Sequence, residues 1–109
     1  MARKPLLLSE PARQDFISIV DFYTAEASFD VARSFRNALR AEFDHIGQFP
    51  ASGSTRYGPT VDVRGLRSWP VRDFPYLVFY AERGDRIDIH RILHTARDIP
   101  TSLRKDIEE

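Results

Sequence analysis

The hydrophobic and polar positions of this 109-residue chain change period part-way along it. Ala12, Phe16, Ile19 or Val20, and Tyr23 recur at helical spacing. Val31, Phe35, Leu39, Phe43 and Ile46 do so again, as one apolar stripe. Ser9-Glu10-Pro11 supplies a capping hydroxyl, a first-turn acid and a proline where its missing N–H is harmless, so a helix starts here and runs to about Ala27. Ser28 or Asp30 caps the second helix, and Gly47 with Pro50 stops it. So short a joint makes the pair an antiparallel helical hairpin.

Around these helices the period falls to two. Residues 3–8 read as a short first strand, and residues 61–71 as another. In the latter, Val61 and Val63 alternate with Asp62 and Arg64, and Gly65 marks a bulge. Residues 76–82 and 86–93 flank Gly84-Asp85, which suits a tight hairpin turn. Leu77, Phe79 and Ala81 alternate with Tyr76, Val78 and Tyr80. In the second run Ile87, Ile89 and Leu93 share one face, against Asp88, His90 and His94; Arg91 interrupts the set, which predicts a bulge. Asp98 or Thr101 starts a final short helix through Leu103 and Ile107, with a charged end from Lys105 onward.

This order predicts a single α+β domain over residues 1–109. An N-terminal strand and a helical hairpin pack on a small, mostly antiparallel sheet, followed by a short C-terminal helix or tail. The second sheet face is expected to stay at least partly open.

Composition narrows the function classes. Cysteine is absent, which excludes a disulfide scaffold and a thiolate metal site; no metal or cofactor is expected. No apolar run is long enough to span a membrane, and a cytoplasmic protein is expected. The formal net charge is zero, which argues against a generic nucleic-acid binder and against sequence-specific nucleic-acid binding by this chain alone. Every basic residue except Lys4 and Lys105 is arginine. Arg56, Arg64, Arg67, Arg72, Arg83, Arg86, Arg91 and Arg97 outnumber Asp62, Asp73, Glu82, Asp85 and Asp88 in the sheet half. Arginine's planar fork suits phosphates, carboxylates and stacked rings.

Two chemistries fit these residues. A ribonuclease needs a proton acceptor for the 2′-hydroxyl, cations for the phosphorane and an acid for the leaving oxygen. His94 or His90, with Arg67, Arg91 and Tyr80, would be its candidates. A binding protein needs none of these and would use Arg64, Arg67, Trp69, Tyr80, Arg91, His94 and Arg97 as contacts. The plainer alternatives are that His94 orders the turn into Arg97-Asp98, Tyr80 packs with its hydroxyl at a rim, and Arg91 pairs with Asp88 or Glu82. Arg33, Arg36 and Arg40 read as a solvated helix face.

Residues 71–100, VRDFPYLVFYAERGDRIDIHRILHTARDIP, resemble the RelE/ParE toxins of bacterial type II toxin–antitoxin systems. The aromatic strand from Phe74 to Tyr80 and the ending from Arg91 to Asp98 are most similar to the ParE branch. Ser9-Glu10-Pro11-Ala12 and Phe22-Tyr23 fit the same pattern. The resemblance implies a growth inhibitor neutralised by a cognate, ParD-like antitoxin in a hetero-oligomeric complex, the antitoxin's C-terminal segment folding onto the toxin. It also implies DNA gyrase as the target, whereas RelE-type members cleave mRNA in the ribosome. The ribosomal nucleases tend to be strongly basic, so the neutral charge here favours a non-enzymatic binder over the nuclease. A third reading is a non-toxic member that only binds its antitoxin and regulates the operon. Two helices carry more aromatic side chains than one small sheet face covers, so Phe22, Phe29 and Phe35 are expected to meet the antitoxin.

Overall fold

One hydroxyl joins the first strand to the first helix. Ser9 Oγ accepts from the Ala12 amide at 3.1 Å and donates to the His90 carbonyl at 2.8 Å, capping the helix and pinning it to the sheet. The computed structural model describes residues 3–61 and 63–107. The predicted alternation at Asp62 falls outside them, as do the last two charged residues and the Ile107 side chain.

The elements are β1 (Leu6–Leu8), α1 (Glu10–Glu26), α2 (Phe29–Gln48), a 3₁₀ turn at Pro50–Ser52, α3 (Gly58–Val61), β2 (Leu66–Pro70), β3 (Tyr76–Arg83), β4 (Arg86–His94) and α4 (Ile99–Ile107). The sheet order is β1-β4-β3-β2, with β1 parallel to β4 and the other pairs antiparallel. Ser28 caps α2 by accepting from the Val31 amide, and Asp98 caps α4 by accepting from the Thr101 amide.

The α1–α2 hairpin packs on one sheet face over Val78, Tyr80, Ile87, Ile89 and Ile92, with Phe35, Leu39 and Ile46 from α2 completing the core. At one end the rings of Tyr23, Phe35, Phe74 and Tyr76 meet edge-on or tilted, with centroids 5.3 to 6.4 Å apart. The second face is not left open over its centre. Ile99 and Leu103 of α4, with Val61, cover Phe79, Leu93 and Leu66.

Three sequence expectations are corrected. The strand expected over 61–71 begins only at Leu66. Val61 ends α3 and is buried in the second core, and Gly65 takes φ +73° in the turn before β2 rather than forming a bulge. Gly47 does not stop α2 but lies within it. The lead-in to β1 crosses there, the Lys4 amide donating to Gly47 O at 3.0 Å. A Cβ at Gly47 would lie 2.7 Å from Arg3 Cγ, so the close crossing explains the glycine. The third correction concerns β4. Phe79 stands opposite Arg91 and Tyr80 opposite Ile89, so His90 is an extra residue, the expected bulge. It reverses the alternation beyond it, and Ile92 rather than Leu93 joins Ile87 and Ile89 beneath the helices.

Candidate functional site

A concavity lies at the open end of the helical hairpin, where β1 runs beneath α1 and α2. Its volume is about 450 Å³. Leu6 and Leu8 of β1, Phe16 of α1, and Leu39 and Phe43 of α2 form an apolar floor. Arg3, Arg13, Arg36 and Arg40 rim it, with Asp44 as the acid. Asp44 is already paired with Arg3, and the Glu10 carboxylate is 3.8 Å from Arg13. Arg36 and Arg40 sit one turn apart on α2, exposed and without an ion pair among the described residues. Like charges at that spacing disfavour the isolated helix by about 0.2–0.5 kcal/mol. The helix face expected to be merely solvated is therefore the cationic wall of a groove.

At the other end of the hairpin, the joint between α1 and α2 exposes Phe22 (55 %) and Phe29 (70 %). Phe35, predicted with them as a partner contact, has no exposure at all. It sits one turn into α2 from Val31, and the stripe that carries it faces the sheet, so it is a core residue.

The sheet residues do not gather as the sequence suggested. β2 begins beside the end of β3, and β4 ends beside its start: Leu66 pairs with Ala81, and His94 with Tyr76. Arg64 and Arg97 therefore lie at opposite ends of the sheet. Even Arg67, opposite Tyr80, is four β3 residues from the His94 row, about 13 Å at ~3.3 Å per residue.

Several candidates are committed inside the fold. Tyr80 is fully buried, its hydroxyl donating to Pro50 O at 2.8 Å and accepting from the Gly53 amide at 3.0 Å. It is no surface contact, because the 50–53 turn closes over it; burial raises its pKa, with the Gly53 amide and the Arg67 charge opposing. Arg67 donates to Gly53 O at 2.8 Å, tying down the same turn. Arg91 pairs with neither Asp88 nor Glu82. It grips Asp15 of α1 at 2.7 and 2.9 Å, both side chains 12 % exposed, and the same carboxylate accepts from the Ile92 amide at 2.9 Å. Asp15 was not singled out in the sequence, where nothing links a helix acid to an arginine 76 positions away.

The remaining groups are more accessible. Trp69 is half-buried, donating through Nε1 to Glu42 at 3.0 Å and stacking on His45 at 4.2 Å. Glu42 also accepts from the Arg72 amide. His94 Nδ1 accepts from the Ala96 amide at 2.9 Å, so its turn-ordering role is realised and the neutral ring's proton lies on Nε2. Its ring meets Tyr76 edge-on at 5.1 Å. Tyr76 is pushed up to about 12 by burial first and then by the neighbouring Tyr23 hydroxyl. His90 is held below the ordinary histidine pKa by burial, against the pull of Asp88, and its Nε2 is buried without a hydrogen bond among the described residues. Arg64 and Arg97 are exposed. Among the described residues no group of three or more His, Asp or Glu is arranged to hold a metal, and no helix is long and apolar enough to cross a membrane.

The family model for the ParE toxin of the type II toxin–antitoxin system, parDE, matches residues 6–99. Among solved structures, a chain of the chromosomal ParDE TA system from P. aeruginosa aligns with a TM-score of 0.69 at 21 % identity. The alignment covers 84 % of this chain and 96 % of that one, a likeness of fold. A comparison with curated proteins finds no match.

Proposed function

The chain belongs to the ParE toxin family of type II toxin–antitoxin systems, and on that premise we propose that it inhibits growth by binding DNA gyrase and is neutralised by a cognate ParD-like antitoxin. The ParE-like aromatic strand and the 91–98 ending point to gyrase rather than the ribosome. The observation that carries the non-enzymatic reading is the fate of the nuclease candidates. Tyr80 is sealed under a turn, Arg91 is held by Asp15, and Arg67 lies about 13 Å from the His94 row at ~3.3 Å per residue. A phosphodiester in flight needs its acid, base and cations within hydrogen-bond reach of one another's targets. The accessible groups suit binding instead: Arg97 and His94 at one sheet end, Trp69 beside the β2 edge, and Arg64 at the other end.

The antitoxin's place in this reading is the groove over β1. Its apolar floor takes the non-polar side of an amphipathic segment, and the arginine rim takes acidic residues. Phe22 extends that contact toward the joint of the helices. Action on gyrase places the toxin in the bacterial cytoplasm, in a hetero-oligomeric complex until released.

Purified toxin added to gyrase in a supercoiling assay tests the reading. Inhibition is expected, and His94→Gln, which keeps hydrogen bonding without proton transfer, is expected to retain it. Codon-specific mRNA cleavage on translating ribosomes, lost in a folded His94→Gln protein that still binds antitoxin, would replace this reading with the nuclease. Normal growth during antitoxin-free expression would leave only antitoxin binding and operon regulation.

A further inference from the structure

The helical hairpin carries opposite chemistry at its two ends. The open end is the apolar groove rimmed by Arg3, Arg13, Arg36 and Arg40, where arginines exceed the acids Glu10 and Asp44 by two. The joint end carries Asp21, Glu26 and Asp30 against Arg33 alone, the reverse excess of two, around the exposed rings of Phe22 and Phe29. Asp21 and Glu26 have no ion pair among the described residues, and Asp30 holds Arg33 in a pair that is 81 % and 62 % exposed. One end is a cationic socket with an apolar floor; the other is an acidic knob with apolar tips. They lie at opposite ends of the same hairpin, so one molecule cannot join them.

We infer that a second copy of this chain is an occupant of the groove, its Phe22–Phe29 joint inserting between the arginines so that antitoxin-free molecules associate head to tail. Such an interface is heterologous. It leaves a free socket and a free knob at the ends of each assembly and grows with concentration unless its rotation closes a ring. Two phenylalanines that are 55 % and 70 % exposed leave only about 200–300 Å² to bury between them, well under the roughly 1,600 Å² of a standard interface. The association is therefore weak and reversible, and its charged rim makes it salt-sensitive. This rests on the reading of the groove as a docking site for an acidic, apolar segment. Antitoxin and neighbouring toxin then compete for one groove, so a toxin surplus is stored in a form that antitoxin dissolves.

Sedimentation velocity on antitoxin-free protein tests it. The weight-average mass is expected to exceed the monomer, rising with protein concentration and falling with salt. Phe29→Ala removes only an apolar tip of the knob and Arg40→Glu damages only the socket; each should weaken association at least tenfold. Mixed in equal amounts, they should form a dimer that does not extend, because the intact knob of one fits the intact socket of the other. Both positions are exposed, and thermal melts confirm folding. A wild-type protein that stays monomeric throughout, or a mixture that stays monomeric, overturns the inference. Antitoxin titrations on Arg40→Glu keep the two readings separable. A monomeric wild type whose Arg40→Glu variant loses antitoxin sinks the self-association alone. A self-associating wild type whose Arg40→Glu variant keeps full antitoxin affinity removes the groove from antitoxin recognition.

Discussion

Removing Asp15 should be among the most damaging single changes to a charged residue of this protein. Its carboxylate holds Arg91 through two bonds of 2.7 and 2.9 Å and caps the Ile92 amide at 2.9 Å, beside the His90 bulge. At 12 % exposure for both partners, water replaces little of what is lost. Breaking a buried pair by deleting one partner costs about 3–5 kcal/mol, and a domain of this size holds only about 5–15 kcal/mol. Urea unfolding of Asp15→Ala should show a midpoint lowered by about 2–3 M, for a slope of about 1.5 kcal/mol/M. Arg91→Ala should also be clearly destabilising, since it leaves the Asp15 carboxylate largely buried with only the Ile92 amide of these contacts. The double variant should cost clearly less than the two singles added, with a coupling of more than about 1 kcal/mol. Asp30→Ala, whose pair with Arg33 is largely exposed, is the control and should stay within about 0.5 kcal/mol. A loss below about 0.5 kcal/mol for Asp15→Ala, or strict additivity in the cycle, would refute the reasoning. Toxicity of Arg91→Ala should follow its folded fraction, because this arginine is a tether between helix and sheet.

Other outcomes follow from burial and titration. Phe35→Ala should cost about 3–5 kcal/mol in a denaturant melt, while Phe29→Ala, 70 % exposed, should stay within about 0.5 kcal/mol and act only on association. Tyr80→Phe orphans the buried Gly53 amide and should cost about 1–3 kcal/mol; Gly53→Ala should be worse, since its Cβ would lie 2.3 Å from the Tyr80 oxygen. Tyr76 is pushed up to about 12 when folded, against 10.0 when unfolded, so stability should fall as pH rises between those values, a fall that Tyr76→Phe reduces in pH-dependent melts. His90 has a folded pKa below the unfolded 6.5, so the unfolded chain takes the proton first and stability should drop as pH falls through 6.5; pH-dependent melts of His90→Gln should show a shallower acid limb.

What was legible in the sequence depended on how local its cause was. Ser9 caps its helix as read, and Ser28 and Asp98 are the caps among the pairs Ser28 or Asp30 and Asp98 or Thr101, because a cap is settled by its own hydroxyl or carboxylate and an amide three residues on. The bulge in β4 was legible too, since Arg91 interrupts an apolar alternation. Its consequence was not: one inserted residue reverses every later side chain, exchanging Leu93 for Ile92 beneath the helices. Tyr80 reads from the sequence either as a contact or as packing with its hydroxyl at a rim; that the hydroxyl is sealed was not legible, because the turn that covers it lies 30 residues earlier, at Pro50. The groove was hidden for a related reason. Periodicity assigns Phe16, Leu39 and Phe43 to a buried stripe, but not how far the element beneath them extends. β1 is only three residues long, so it covers part of that stripe and leaves Phe16 and Phe43 half-buried between Arg13, Arg36 and Arg40. A solvated helix face becomes a cationic groove because a strand stops short, and a strand's stopping point is set by the whole sheet rather than by the helix above it.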